Sequence, residues 1–411
     1  MSRRSRERRG LALHRSLVKS ILPDPNAVLF LRALLWTEES ARTPWSAWAQ
    51  AQGNLKNYFK DERWGRKGLL PLLSRQARLH SLEVKPDFAA SLRAAALREK
   101  LRFRALEAIL FDVHDRWVGS GVEALLIGGT AHAYTLYDDP ADRHTHGIEW
   151  LTRVEQTALA RELLLKTRFE RVPTQRGQPS QLEKFTHESG LELTLRTQLF
   201  AVPHVESDPE GVFTRSDTLD RGGRLLQIPG IFDRLSHSLI ETATTWEGSN
   251  LRWACDAYKL LQTLRTGPSS ELDSIAEAAG VRHVPAFFAT VLEFLRSELD
   301  APIHNGGYVH PLDESVPIAD QEIKFLLSAN VRTARSRPEF MRMHPVTDRS
   351  FWLLLRFLLC PTREHLYYET GTLHSLPVLH AVRWSGYPRR AYQRRKTLHS
   401  KRSSSDNPSR E

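Results

Sequence analysis

The chain has 411 residues, 41% hydrophobic and 26% charged, a composition that excludes disorder over the whole length and suits two or three packed units. Its two cysteines, Cys255 and Cys360, cannot build a disulfide framework or a cysteine-rich zinc module, and no stretch approaches the roughly 18 to 20 apolar residues of a membrane helix, so a cytoplasmic protein with no membrane partner and no export signal is expected. The formal charge of +10 lies in the tails: residues 1–20 contribute +6 and residues 383–411 contribute +7, leaving the body at −3, so a folded basic face for nucleic acid is not expected.

The tail at 1–20 precedes a region, residues 21–117, in which apolar residues recur at three- and four-residue spacing. Leu92, Ala95, Leu97 and Leu101, then Leu106, Ile109, Leu110 and Val113, predict helices there. The pattern breaks at Gly119-Ser-Gly121. Ala124 to Ile127 is an apolar run too short for a buried helix and ends at Gly128-Gly129, which predicts a central strand entering a glycine turn. A short helix from Thr130 to Tyr137, a polar loop and a second strand at Gly147 to Thr152 follow. Helical spacing returns over 154–168, with Val154, Ala158, Leu159, Leu163 and Leu164 forming its stripe.

Gln181 to Phe200 reads as a hairpin, because Glu188-Ser-Gly190 is turn chemistry and Leu191, Leu193 and Leu195 alternate with Glu192, Thr194 and Arg196. After a Pro/Gly-containing stretch at 202–230, helical spacing resumes at Ile231, Leu235 and Leu239, at Trp253, Ala257, Leu260 and Leu264, and at Phe287, Val291, Leu292 and Leu295. Trp253, Trp352 and Trp384 fall at core positions. The final stretch, 387–411, has too little apolar content to offset its ordering entropy and is expected to be disordered. A solubilising role suits both tails better than a dedicated nucleic-acid arm. The expected fold is α+β: a small mixed sheet at 118–205 between helical regions at 21–117 and 206–386.

A strand, Gly128-Gly129-Thr130 and a helix aim bare backbone N–H groups and a helix N-terminus at one spot, which suits a phosphate, although a glycine pair alone is usually a tight turn. Gly147 and Glu149 are two apart on the second strand and share a face, and Glu192 lies on the polar side of the hairpin. Carboxylates on adjacent strands beside such a turn suit magnesium or manganese ions in phosphoryl or nucleotidyl transfer. Arg143 fits two roles, neutralising a triphosphate or pairing with the loop aspartates Asp138, Asp139 and Asp142. Those aspartates also fit loop solvation and Asx turns. His144-x-His146 has a spacing used by zinc sites, with His132 or His187 as a third ligand, but is more often turn histidine. Asp256 has Arg252 four residues before it, an arrangement expected to be a structural ion pair.

These motifs resemble the nucleotidyltransferase fold superfamily and, within it, a group of uncharacterised bacterial nucleotidyltransferases. Leu125-Leu-Ile-Gly128-Gly129-Thr130-Ala131 looks like the first element, Thr135-Leu-Tyr-Asp-Asp-Pro140 is similar to a Thr-Leu-Tyr-x-Asp-Pro run, and Arg143-His-Thr-His-Gly147-Ile-Glu149-Trp-Leu151 occupies the place of Arg-x-x-x-Asp-Ile-Asp-Leu-Leu. Leu191-Glu192-Leu193 resembles the strand with the third carboxylate, and Leu251 to Leu261 the helix after the core. The resemblance implies Mg²⁺- or Mn²⁺-dependent transfer of a nucleoside monophosphate from an NTP to an acceptor, whether small molecule, protein or RNA. It implies phosphates cradled by Gly128, Gly129 and Thr130 with Arg143, and metal and catalysis carried by Glu149 and Glu192. Gly147 stands where the group has its first metal-binding aspartate. That departure favours an alternative, a catalytically impaired scaffold that binds nucleotide or protein, and Gly147→Asp is expected to raise activity if the missing ligand is the sole defect.

Overall fold

A computed structural model describes residues 14–15, 17–19, 21–61, 65–173, 182–200, 202, 204–205, 208–244, 251–265, 284–303 and 320–333, with positions 359, 361, 366 and 377–381. Both basic tails beyond these residues, Trp352, Trp384 and Cys360 lie outside the described residues.

The N-terminal helices are α1 (Pro25–Leu35), α2 (Glu38–Gln52), α3 (Leu55–Asp61), α4 (Leu70–Leu79) and α5 (Pro86–Gly119). Helix α1 starts where its cap dictates: the Asp24 carboxylate accepts from the Ala27 amide at 2.7 Å and Pro25 takes the first position, where its missing N–H costs nothing. Helix α5 runs 34 residues to Gly119 and is capped by Ser120, and the chain turns away at Gly121, whose φ of +74° favours glycine. Its buried stripe is Phe88, Leu92, Glu99, Phe103, Leu106, Leu110, Val113 and Trp117. Leu97 and Leu101, expected on that stripe, are instead exposed. Stepping on from Leu92, the 3.6-residue period reaches Glu99 and Phe103 and leaves Leu97 and Leu101 on the outer side.

The central sheet comprises β1 (Ala124–Ile127), β2 (Gly147–Thr152), β3 (Phe169–Arg171), β4 (Leu182–His187) and β5 (Glu192–Arg196), in the order β1-β2-β5-β4-β3. Strand β2 runs antiparallel to β1 and parallel to β5, and β4 pairs antiparallel with both β5 and β3. Helix α6 (Gly128–Leu136) leaves β1 directly, and α7 (Thr157–Leu165) follows β2. In α7 the buried residues are Ala160 and Leu164, whereas Val154 and Leu159 are exposed, so the core stripe of 154–168 is narrower than its apolar content suggests.

The sheet is covered on both faces. Leu126, Ile148, Trp150, Phe185, Leu193 and Leu195 pack with Phe103, Leu106, Leu110 and Trp117 of α5 and with Leu164 of α7. Leu125, Ile127 and Leu151 face a larger cluster, shared by α1–α5 with the later helices α9 (Ile231–Thr244), α10 (Arg252–Arg265), α11 (Pro285–Leu299) and α12 (Asp320–Thr333). The first and last helical stretches thus meet in one core. Arg32 donates to the Glu298 carbonyl at 2.6 Å and the Trp36 indole to the Leu299 carbonyl at 2.8 Å.

The stretch at 202–230 holds structure that a Pro/Gly reading misses. Helix α8 (Pro209–Thr214) precedes a two-stranded hairpin, β6 (Asp217–Arg221) and β7 (Arg224–Ile228), turned by Gly222 and Gly223, both at positive φ. Leu226 and Ile228 enter the core beneath α5, and Arg224 pairs with Asp115 at 2.7 Å while lying over the Phe111 ring.

Candidate functional site around the glycine turn

Strand β1 delivers the chain to Gly128 at φ +64°, a left-handed value that favours glycine. A Cβ there would sit 3.1 Å from Glu149 Oε1. The second glycine has a different cause: a Cβ at Gly129 would lie 2.2 Å from Arg143 Nη1. The doublet is therefore shaped by Glu149 in front and Arg143 behind. Thr130 is buried and its hydroxyl donates to the Gly147 carbonyl at 3.0 Å, fastening the start of α6 to the start of β2.

Arg143 is 6% exposed. Its Nη2 donates to Asp256 Oδ2 at 2.6 Å, Nε donates to Oδ1 at 3.3 Å and Nη1 donates to the His144 carbonyl at 2.9 Å. The expected partners of Arg143 are thereby corrected. The guanidinium points inward to α10 instead of to the loop aspartates, which have cations of their own: Asp138 and Asp142 pair with Arg75, and Asp139 with Lys100. Asp256 is likewise not paired with Arg252. A fully buried carboxylate needs every lone pair met, and it accepts from Arg143 and from the Tyr137 hydroxyl at 2.9 Å, with His132 Nδ1 at 3.2 Å. Burial alone would raise the Asp256 carboxyl, but Arg143 and His132 outweigh it and hold it well below the ordinary carboxylate range.

The rings of His144 and His146 meet edge to face at 4.9 Å, but neither His132 nor His187 joins them. His144 Nδ1 lies 2.7 Å from Glu99 Oε2, His146 Nε2 accepts from Arg252 Nη2 at 3.1 Å, His132 belongs to the Asp256 network, and His187 Nδ1 is 2.9 Å from the Ser189 hydroxyl. Among the described residues no group of three or more His, Cys, Asp or Glu is placed to hold a metal ion.

The carboxylate face is set by register. Gly147 pairs with Glu192, Glu149 with Thr194 and Leu151 with Arg196 in the parallel β2–β5 ladder, so Glu149, Glu192, Thr194 and Arg196 share one side of the sheet. The sequence-predicted sharing of a face by Glu149 and Glu192 is what the strands present, with Glu192 at the exposed end. Arg196, which sequence reasoning passed over, is the addition. Its Nη2 lies 2.5 Å from Glu149 Oε2. Burial works to raise the Glu149 carboxyl, but Arg196, then His237 and Arg143, overcome it and keep the group ionised. The alternation Glu192, Thr194, Arg196 carried the signal for Arg196. His237 comes from α9, and nothing near the motif announces it.

Gly147 is not a vacancy waiting for an aspartate. A Cβ there would fall 2.1 Å from the Glu192 carbonyl oxygen and 2.9 Å from its carbon. The obstruction is backbone, so an aspartate at 147 requires β5 to move, and the missing ligand is not the sole obstacle to a carboxylate there. The carboxylates consequently do not fit the two-metal arrangement: Gly147 offers no ligand and Glu149 already stands in an ion pair with a guanidinium.

Among solved structures, five chains match. One is an antigenic nucleotidyltransferase-like protein from Paracoccidioides brasiliensis, 17% identical, covering 50% of this chain and 96% of that chain with a TM-score of 0.30. No curated protein matches. The family described as "Uncharacterised nucleotidyltransferase" matches residues 64–294, more than half of the sequence and inclusive of the glycine turn, both carboxylate strands and Asp256. The chain belongs to that nucleotidyltransferase family.

Proposed function

We propose that the protein binds a nucleoside triphosphate against the Gly128-Gly129 turn and transfers its nucleoside monophosphate to an acceptor hydroxyl, using a core that spans residues 118–205. The observation that carries this reading is the family match across the turn and both carboxylate strands, joined to the Glu149 carboxylate lying against Gly128. The amides of Gly128, Gly129 and Thr130, at the start of α6, receive phosphate oxygens. Arg143 acts from behind, holding the turn in shape instead of touching phosphate. The acceptor oxygen bonds to the α-phosphorus as the bond from that phosphorus to the bridging oxygen breaks, pyrophosphate leaves with the electron pair, and the acceptor proton passes to Glu192. Magnesium or manganese enters only by family analogy, and these steps run on the chain's own groups.

A second reading, nucleotide binding without transfer, is favoured by one observation: the β2–β5 register closes position 147 to a carboxylate. The two readings part in one experiment. The purified protein is incubated with NTPs radiolabelled at the α-phosphate and with small-molecule, protein and RNA acceptors from a cell extract. Transfer of label by the wild type, lost in the Glu149→Ala/Glu192→Ala double variant, is expected. Saturable NTP binding without transfer selects the second reading, and absence of both defeats the two together.

A further inference from the structure

The face that meets the nucleotide carries a fixed cation where the reaction class calls for a mobile one. Arg196 and Glu149 stand on neighbouring strands of the same sheet face, Nη2 to Oε2 at 2.5 Å, and the carboxylate they share borders Gly128. Three features bear on this pair. Register places glycine at 147, where a Cβ would collide with the β5 backbone, so the ligand on that side is excluded by the fold. Glu149 has its charge met by a guanidinium, whose planar fork suits both carboxylate and phosphate oxygens. Finally, Arg196 Nε is buried and has no hydrogen-bond acceptor among the described residues, while Nη2 stands in the ion pair with Glu149 Oε2 without aligned hydrogen-bond geometry. A buried donor without an acceptor is costly, and a phosphate oxygen of a bound nucleotide is the kind of acceptor that would meet it.

We propose that Arg196 takes the place of a divalent cation at Glu149, so that this protein binds the triphosphate of a nucleotide without metal. The proposal rests on the nucleotide-binding reading above, but its metal half is separable from it. Glu149 then serves as a positioning residue: it aims the guanidinium toward the turn, and the guanidinium meets the phosphates.

The test uses the full chain and two measurements. In the first, calorimetry follows binding of each of the four ribonucleoside triphosphates in excess EDTA and again in Mg²⁺. For the tightest binder, wild-type affinity is expected to agree within about threefold between the two conditions. Arg196→Gln is expected to weaken binding in EDTA by about tenfold or more, and Arg196→Lys, which keeps the charge but not the fork, to weaken it less. Circular dichroism melting confirms that each variant is folded, and the wild-type comparison needs no variant. Tightening of wild-type binding by about tenfold or more on adding Mg²⁺ overturns the proposal.

The second measurement needs no nucleotide: Mn²⁺ is titrated into the protein and the free-ion signal is read by electron paramagnetic resonance. The wild type is expected to leave Mn²⁺ free, and Arg196→Gln to gain a site that a further Glu149→Gln removes. A saturable wild-type site abolished by Glu149→Gln, or no gain in Arg196→Gln, contradicts the proposal. If no triphosphate binds under either condition, the proposed function falls, and the Mn²⁺ result still decides whether the guanidinium stands where a metal would.

Discussion

The glycine turn lies between two arginine–carboxylate pairs that differ in every respect except charge. Behind it, Arg143 and Asp256 are sealed, with Asp256 wholly out of solvent and met by a guanidinium, a phenol and an imidazole. In front of it, Arg196 and Glu149 keep side-chain exposures of 16% and 25%. A sealed pair has no alternative partner, so its breakage leaves an uncompensated buried charge. A partly open pair can exchange one partner for a ligand oxygen at modest cost. Under the proposed function the rear pair is structural and the front pair meets the ligand, although both arise from the same motif segment, residues 143–149, and the strand or helix it meets.

The largest effect follows from breaking the rear pair. Asp256→Asn keeps the shape but strands the Arg143 charge, and is expected to lower stability by about 3–5 kcal/mol, read as a shift in the denaturant midpoint. Gly147→Asp comes next. Its Cβ meets backbone 2.1 Å away, so it is expected to destabilise by about 1–3 kcal/mol or more and to yield no gain in label transfer. An active, stable variant would undo the account of the β2–β5 register. Gly129→Ala, which presses on the locked Arg143 guanidinium, is expected to cost about 1–3 kcal/mol, with the loss diminished when Arg143 is shortened in a double-mutant cycle.

Glu149→Gln bears on the front pair and should change stability by about 1 kcal/mol or less while weakening triphosphate binding. A large loss of stability there, comparable to Asp256→Asn, would erase the contrast between the pairs. The smallest effect concerns the loop flank. Burial pushes the Asp142 carboxyl up to about 6 in spite of Arg75. Because its folded value exceeds the unfolded one, the unfolded chain releases this proton first, and stability should fall as pH rises from about 4 to about 6. Asp142→Asn should lack that decline. An unchanged pH profile in the variant would show that Asp142 is not responsible.

Much of the sheet was legible because strand signals are local. Ala124–Ile127, Gly147–Thr152 and the hairpin turned at Gly190 lie where apolar runs, alternation and turn residues put them. The hairpin at 217–228 was passed over, because Asp217 to Arg221 is largely polar and only Leu226 and Ile228 of its partner strand are buried. Leu97 and Leu101 misled for the reverse reason: apolar side chains at plausible spacing lie outward when the helix turns a charged residue, Glu99, inward to meet His144.

The site was legible in its parts and not in its pairings. Period-two alternation put Glu149 and Glu192 on one face, but which cation meets which carboxylate depends on contacts between segments far apart in sequence. Arg143 reaches Asp256 across 113 residues, and a local rule that matched Asp256 to Arg252 could not anticipate it. The reason for Gly147 is similarly non-local. The glycine reads as a lost ligand in sequence and as a close approach of two strands in the fold.

The central claim is that nucleotide meets the protein at the face where the turn, β2 and β5 converge. Hydrogen-exchange mass spectrometry of the full chain, with and without a saturating NTP, tests it most directly. The account predicts slowed exchange in peptides covering residues 127–136, 147–152 and 192–196, with the α10 segment around Asp256 already protected and little changed. Protection confined to other segments, with those three unaltered at saturation, would contradict it.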